Sequence, residues 1–253
     1  MNITNNTILI TGGGSGIGRG LAEAFHKAGN QVIIAARRRQ NLDEVTAANP
    51  GMKSATLDMD DPAAIREFGA RMANDFPKLN VVIHNAGIAR PENLQSPDLA
   101  DAEAMIRTNI LGPLRLTAAL LPLLRRQPRS TIMTVSSGLA FVPLAMAPTY
   151  CATKAAIHSY TMSLRWQLRN TTAEVIELIP PYVQTELMGG QQAADPRAMP
   201  LKDFVTEVMQ ILKTQPNATE ICVERVNPLR YAAETGKLPA TFQGLNEAMP
   251  APH

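Results

Sequence analysis

Cysteine is nearly absent. The 253 residues hold two, Cys151 and Cys222, too few for a disulfide framework and readable as free thiols in a reducing compartment. An excess of one charge is also missing. Lys plus Arg number 24 against 22 for Asp plus Glu, a formal net charge of +2. That balance argues against the concentrated basic face that binding to nucleic-acid phosphates requires. No long apolar run is present. The most apolar stretch, 111–124, contains Arg115 and two prolines and is too short for a membrane span. The first six residues, Met1-Asn2-Ile3-Thr4-Asn5-Asn6, have neither the basic start nor the apolar centre of an export signal. A cytoplasmic protein with no membrane or nucleic-acid partner is expected. His26, His158 and His253 show no metal-ligand spacing, and no metal is expected.

What is there is a globular chain, 45% apolar and 18% charged. Short apolar runs at 7–11, 31–36, 54–57, 81–84, 131–136, 174–178 and 221–223 read as strands, the first six nearly continuous, as strands covered on both faces are. Helical patterns at 17–28, 41–48, 62–75, 100–126, 149–169 and 201–214 lie between them. The alternation predicts an α/β, doubly wound parallel sheet of about seven strands, with right-handed crossovers. No repeat or low-complexity linker divides the chain, so 1–253 reads as one domain. The segment 186–200, rich in Gly, Gln, Ala, Asp and Pro, reads as a mobile loop over the substrate. The stretch 227–253 reads as a C-terminal extension with weak helical patterning and a frayed end.

After the first strand comes Thr11-Gly12-Gly13-Gly14-Ser15-Gly16-Ile17-Gly18, and a helix follows. Glycines let the backbone turn tightly and approach a pyrophosphate, and the helix N-terminus offers free N–H groups to it. The spacing differs from the two-domain dehydrogenase fingerprint Gly-x-Gly-x-x-Gly. The second strand ends at Ala36, where an acidic residue would hydrogen-bond an adenosine ribose, and Arg37-Arg38-Arg39 follows. A guanidinium suits a 2′-phosphate and can stack on adenine. NADP(H) is therefore expected over NAD(H), with Arg37 the first candidate and Arg38 the second. Arg39 reads as a solvated charge opening a helix. Asp58, before Met59, either accepts from the adenine amino group or caps the next helix, a role for which Asp60 and Asp61 are closer.

Tyr150 and Lys154 stand four apart and share a helix face. An ammonium beside a phenol favours the phenolate, which suits a proton donor and acceptor for an alcohol–carbonyl pair. Ser137, at a strand end, can hold the substrate oxygen. The Tyr–Lys spacing alone has a chance expectation of about one in nine in this composition. Requiring the serine and the glycine loop as well lowers it to the order of one in several thousand, so these three features belong together.

With these motifs the sequence resembles the short-chain dehydrogenase/reductase family over nearly its whole length. The resemblance rests on 11–18, Asp58, His84-Asn85-Ala86-Gly87, Asn109, Ser137, Tyr150, Lys154 and Pro180-Pro181-Tyr182-Val183-Gln184-Thr185. It implies a single Rossmann-type domain and a carbonyl–alcohol oxidoreductase. It implies that Tyr150 is the acid/base, that Lys154 lowers the Tyr150 pKa and binds the nicotinamide ribose, and that Ser137 orients the carbonyl. Asn109 would hold a water in a relay to Lys154. Gly12, Gly14, Ser15, Gly16, Ile17 and Gly18 would cradle the pyrophosphate. Asp58 and Met59 would lie by the adenine, and Asn85, Ala86 and Gly87 on the adenosine ribose side. Pro180 would contact the cofactor, and Val183 and Thr185 would meet its nicotinamide carboxamide and pyrophosphate. Two motifs depart from the family's pattern: His84 replaces the first Asn of Asn-Asn-Ala-Gly, and Pro181 replaces the Gly of Pro-Gly. His84 reads as structural. The C-terminal part resembles the subgroup that includes the oxidoreductase encoded with D-alanylation genes of Gram-positive bacteria.

Leu139, Phe141, Val142 and Tyr182 are expected to line the substrate pocket, which suggests a hydrophobic ketone or aldehyde. Several of them could equally pack the loop. A homodimer or homotetramer is implied by the resemblance, with Leu164, Trp166 and Leu168 on its surface or in the core. A non-catalytic NADP(H)-binding sensor of the same fold is the alternative. An epimerase or dehydratase with a larger C-terminal domain fits less well.

Overall fold

The computed structural model describes residues 1–95 and 98–249. Its elements are β1 (Thr7–Thr11), α1 (Gly16–Lys27), β2 (Gln31–Ala36), α2 (Arg39–Ala48), β3 (Lys53–Thr56), α3 (Pro62–Asp75), β4 (Val81–His84) and α4 (Ala100–Ile106). A π-helical turn, Arg107–Leu111, leads into α5 (Gly112–Leu124) and β5 (Ser130–Val135). A 3-10 turn, Gly138–Ala140, precedes α6 (Pro148–Leu168), β6 (Ala173–Ile179), α7 (Gly190–Ala194) and α8 (Leu201–Thr214). The chain closes with β7 (Glu220–Cys222), a second 3-10 turn, α9 (Asn227–Arg230) and α10 (Leu238–Ala248).

The seven strands form one parallel sheet in the order β3-β2-β1-β4-β5-β6-β7. Every residue of β1, β4 and β5 is buried, as crossovers covering both faces require. Alternate residues serve opposite cores. Ile8 and Ile10 pack with Leu21, Phe25 and Phe204 of α1 and α8. Leu9 packs with Phe68, Leu116 and Leu164 of α3, α5 and α6. The strand order reverses between β1 and β4. A crevice therefore opens above their C-terminal ends, where ligands bind in such sheets.

Two expectations need correction. The helix expected over 100–126 is broken by the π turn. An extra residue in a turn re-aims the side chains around it, and here it turns Asn109 inward. The loop expected over 186–200 carries α7, and the bridge of Met199 to Val183 ties its end to the segment after β6. The weakly patterned extension forms α9 and α10. Its expected frayed end lies, beyond Met249, outside the described residues.

His84 closes β4 and is buried. Its Nε2 meets Thr117 Oγ1 at 2.9 Å, and its Nδ1 has no partner among the described residues. Burial pushes its pKa down to about 4. The unfolded chain thus binds the extra proton between about pH 6.5 and 4, and stability is lost as pH falls through that window. The shift corresponds to about 3 kcal/mol. His84→Asn should flatten the acid slope by up to that amount. Urea unfolding of both proteins at pH 7 and 4.5 measures it; parallel slopes would rule out His84 as the source.

Candidate active site

The glycine loop joins β1 to α1 and packs on the end of β4. Gly12 has φ +69°, and a Cβ there would lie 2.8 Å from Asn85 Nδ2 and 2.9 Å from Ala86 Cα. A Cβ on Gly18 would lie 2.4 Å from both Asn85 Nδ2 and the Gly12 oxygen. Neither position accepts a side chain without backbone movement. Thr11 Oγ1 donates to the Ile83 oxygen and accepts from the amides of Asn85 and Ala86 at 3.1 Å each, tying the two strand ends together. The first turn of α1 has no acidic residue, so its positive end faces the crevice without a competing carboxylate.

A cavity of about 400 Å³ fills the crevice. Gly12, Gly14, Ser15, Gly16 and Ile17 line its middle, with Asn85, Ala86 and Gly87 beside them. Arg37, Arg38, Asp58 and Met59 line the end beyond β2 and β3. Tyr150, Lys154, Ser137, Pro180 and Thr185 line the end beyond β5 and β6. Two expected members are elsewhere. Gly18 faces Gly12 and Asn85, where its bareness permits close helix–strand packing. Val183 is buried in the core, because the bridge to Met199 turns it inward. Asn41, Thr108, Ser136, Glu186 and Leu187 join the lining. No local motif marks them.

The arginines divide as their surroundings dictate. Arg39 pairs with Asp43, one turn on, at 2.8 Å. Among the described residues Arg37 and Arg38 have no acidic partner. Asp61 accepts from the amides of Ala63 and Ala64 and caps α3, which leaves Asp58 facing the cavity.

Tyr150 and Lys154 lie on α6, whose first turn is held by Glu92. The Glu92 carboxylate accepts from the Thr149 amide at 2.9 Å and from the Thr149 hydroxyl at 2.8 Å. Lys154 Nζ donates to the Val135 oxygen at 2.8 Å and stands 5.6 Å from the centre of the Tyr150 ring. Burial pushes the Lys154 pKa down to about 8, opposed by the charge of Glu177. Burial raises the Tyr150 pKa, the neighbouring Cys151 raises it further, and a hydrogen bond with Ser137 pulls the other way. The expected lowering of the Tyr150 pKa by Lys154 is thus not seen in this structure. Burial, which disfavours the phenolate in a low-dielectric pocket, is the largest influence on Tyr150. Asn109 is buried behind the cavity. Its Oδ1 accepts from the Ile88 amide at 2.9 Å, and its Nδ2 donates to the Ile88 oxygen and to Thr153 Oγ1.

A second cavity, about 90 Å³, adjoins Ser137 and Tyr150. Leu139 and Tyr182 line it as expected, with Leu144 and Met188. Leu229, Leu245 and Met249 close it from the C-terminal part. Asn246 docks that part by accepting from the Ala145 amide at 2.6 Å and donating to the Pro143 oxygen at 3.2 Å. Phe141 and Val142, expected here, are not in the lining. The 3-10 turn directs them away: Phe141 stands edge-on to His158 with centroids 4.7 Å apart, and Val142 is fully buried. Cys151 accepts from the Leu144 amide at 3.2 Å, and burial raises its thiol pKa.

A crevice at the switch point of a parallel sheet, floored by glycines and ended by a buried Tyr–Lys pair, defines an oxidoreductase of the nucleotide-binding α/β class. The family profile described as short chain dehydrogenase matches residues 6–196, and the chain belongs to that family. It is 39% identical over 237 residues to the protein named Uncharacterized oxidoreductase DltE of Bacillus subtilis (strain 168), covering 92% of this chain and 93% of that one. A short chain dehydrogenase from Burkholderia cenocepacia J2315, solved in complex with NADP, superimposes with a TM-score of 0.80 at 24% identity, over 100% of both chains. One from Burkholderia phymatum, in complex with NAD, superimposes with a TM-score of 0.79 at 20% identity, over 94% of this chain and 96% of that one. Among the described residues no helix is long and apolar enough to cross a membrane.

Proposed function

We propose that this chain is an NADPH-dependent reductase of small, uncharged aliphatic ketones or aldehydes, reversible as an alcohol dehydrogenase. The observation that carries the reaction class is that Ser137 and Tyr150 line both cavities where they adjoin, with Lys154 beside Tyr150 in the larger one. The glycine floor that a Cβ would fill, and the unpaired Arg37 and Arg38, fit a dinucleotide with a 2′-phosphate. When bound, NADPH supplies the hydride that reaches the carbonyl carbon. Ser137 holds the carbonyl oxygen by its hydroxyl. Tyr150 gives that oxygen a proton and is left as the phenolate, which the ammonium of Lys154 stabilises. Asn109 holds the turn carrying Ile88 against α6, on the side from which a proton can return.

The small cavity supports the substrate class. Among the described residues its lining has no charged side chain, so a carboxylate or sulfonate would be desolvated there without a partner. Its volume of about 90 Å³ is below the roughly 150 Å³ that accommodates benzene, which suits a substituent of a few carbons. Each added CH₂ should raise kcat/KM about fourfold, from about 0.8 kcal/mol of burial, until the cavity is full. A homologous series of methyl ketones and aldehydes, followed by loss of NADPH absorbance, tests this. Leu245→Ala should move the optimum to longer chains by one or two carbons. A preference for anionic substrates, or an optimum unmoved by Leu245→Ala, would count against the assignment.

The same reading places the protein in the cytoplasm as a homodimer or homotetramer. Met162 and Trp166 on α6 are 53% and 68% exposed, an apolar surface that a second subunit would cover. Light scattering at micromolar concentration would measure the mass.

A further inference from the structure

Among the described residues the buried side chains include one carboxylate, Glu177, and one ammonium, Lys154. Both lie between strands β5 and β6 and helix α6. Glu177 Oε1 accepts from Ser136 Oγ at 2.5 Å. His158 Nδ1 stands 2.8 Å from Glu177 Oε2 and 3.1 Å from Oε1. A carboxylate only accepts, so this nitrogen carries the hydrogen. Both partners adjoin the site. Ser136 stands between Val135, whose oxygen takes the Lys154 ammonium, and Ser137. His158 is one turn beyond Lys154 on the same helix face.

A fully buried carboxylate remains costly when hydrogen bonds alone hold it. We propose that Glu177, oriented by Ser136 and His158, is the buried counter-charge that keeps the Lys154 side chain an ammonium, and is therefore a positioning residue for the reaction. This rests on the reading that Lys154 works as a cation.

The other groups around the pair leave Lys154 as the cation on its inner side. On β7, Glu220 lies opposite Glu177 in the sheet register. Its carboxylate is taken by Arg230 at 2.8 and 3.1 Å, and Arg230 also holds Glu234 at 2.6 Å. The nearby Cys222 thiol is pushed up to about 11, by burial and then by Glu220. Ligand atoms of His158, Glu177 and Glu220 lie within 4.8 Å of one another, and the Arg230 guanidinium supplies the positive charge at the Glu220 end. Around Lys154 stand the Tyr150 phenol and the Asn109 amide. Burial disfavours the ammonium, and Glu177 is the charge that opposes it.

The test reads Lys154 directly. In protein labelled with ¹³C-lysine, the Lys154 signal is the one lost in Lys154→Ala. Its titration midpoint in the unaltered protein is expected near about 8. Glu177→Gln, which keeps the side chain's shape, should weaken proton affinity at Lys154 by at least about tenfold, one pH unit. Ser136→Ala combined with His158→Gln should shift it the same way by less. This pair decides the matter if Glu177→Gln does not fold. A midpoint within about 0.2 unit of the unaltered protein, in whichever of the two folds, overturns the proposal. Where a substrate turns over, the alkaline limb of kcat/KM should move with the midpoint. A shifted midpoint without turnover on any carbonyl compound would overturn the assigned reaction and leave the Glu177 assignment standing.

Discussion

Tyr150→Phe is expected to lower kcat by about 10³-fold or more, which places it in the upper range of what a positioned acid or base contributes. The change removes one hydroxyl and leaves the ring. Ser137 and Lys154 keep their places, because Lys154 is held by the Val135 oxygen and Ser137 by the Leu139 amide. Cofactor affinity should therefore change by less than about fivefold, since a single neutral hydrogen bond contributes about 1 kcal/mol or less when lost beside water. Burial raises the Tyr150 pKa, so the phenol is protonated at neutral pH and ready to give a proton to a carbonyl oxygen. A phenyl ring has no proton to give. Turnover of the best carbonyl substrate and NADPH affinity by fluorescence, measured on both proteins, separate the two effects. A variant within tenfold of the original kcat would end the assignment of Tyr150 as the acid.

Arg37→Asp is expected to reduce kcat/KM with NADPH by about 100-fold and to leave the value with NADH within a few fold. A hydrogen bond to a charged group contributes about 1.5–3 kcal/mol, roughly 10- to 150-fold, and the new carboxylate adds repulsion toward a 2′-phosphate. Arg38→Ala should act in the same direction with a smaller effect. Arg39→Ala is the control, because its guanidinium is engaged with Asp43. The fold does not decide the cofactor, since structural neighbours of nearly equal TM-score hold NADP in one case and NAD in another. The prediction is that the residues just after β2 do. The ratio of kcat/KM for the two cofactors is the measurement. An unchanged ratio in Arg37→Ala combined with Arg38→Ala would move the preference elsewhere in the chain.

The parallel sheet was legible because buried strands and amphipathic helices alternate in a local pattern. The glycine loop and the Tyr150–Lys154 pair were legible for the same reason: a turn and a helical face depend on residues within one or two turns of each other. Strand limits shifted by a residue or so, as at β3, expected at 54–57 and found at 53–56. Phe141 and Val142 were misplaced because a single 3-10 turn reverses which way their side chains point. Leu229, Leu245 and Met249 were missed because they meet Leu139 and Leu144 across about a hundred residues of chain.

Sequence alone was sufficient for the sheet, for the motifs that carry the family resemblance and for the spacing of Ser137, Tyr150 and Lys154, since each lies within a short stretch of chain. The tertiary structure alone decided the rest. It set the size and lining of the smaller cavity, the opposing burial effects on Tyr150 and Lys154, and the lodging of Glu177 between Ser136 and His158. Those properties depend on how much solvent is excluded, and on which side chains from distant segments share one low-dielectric space, and no local pattern encodes either.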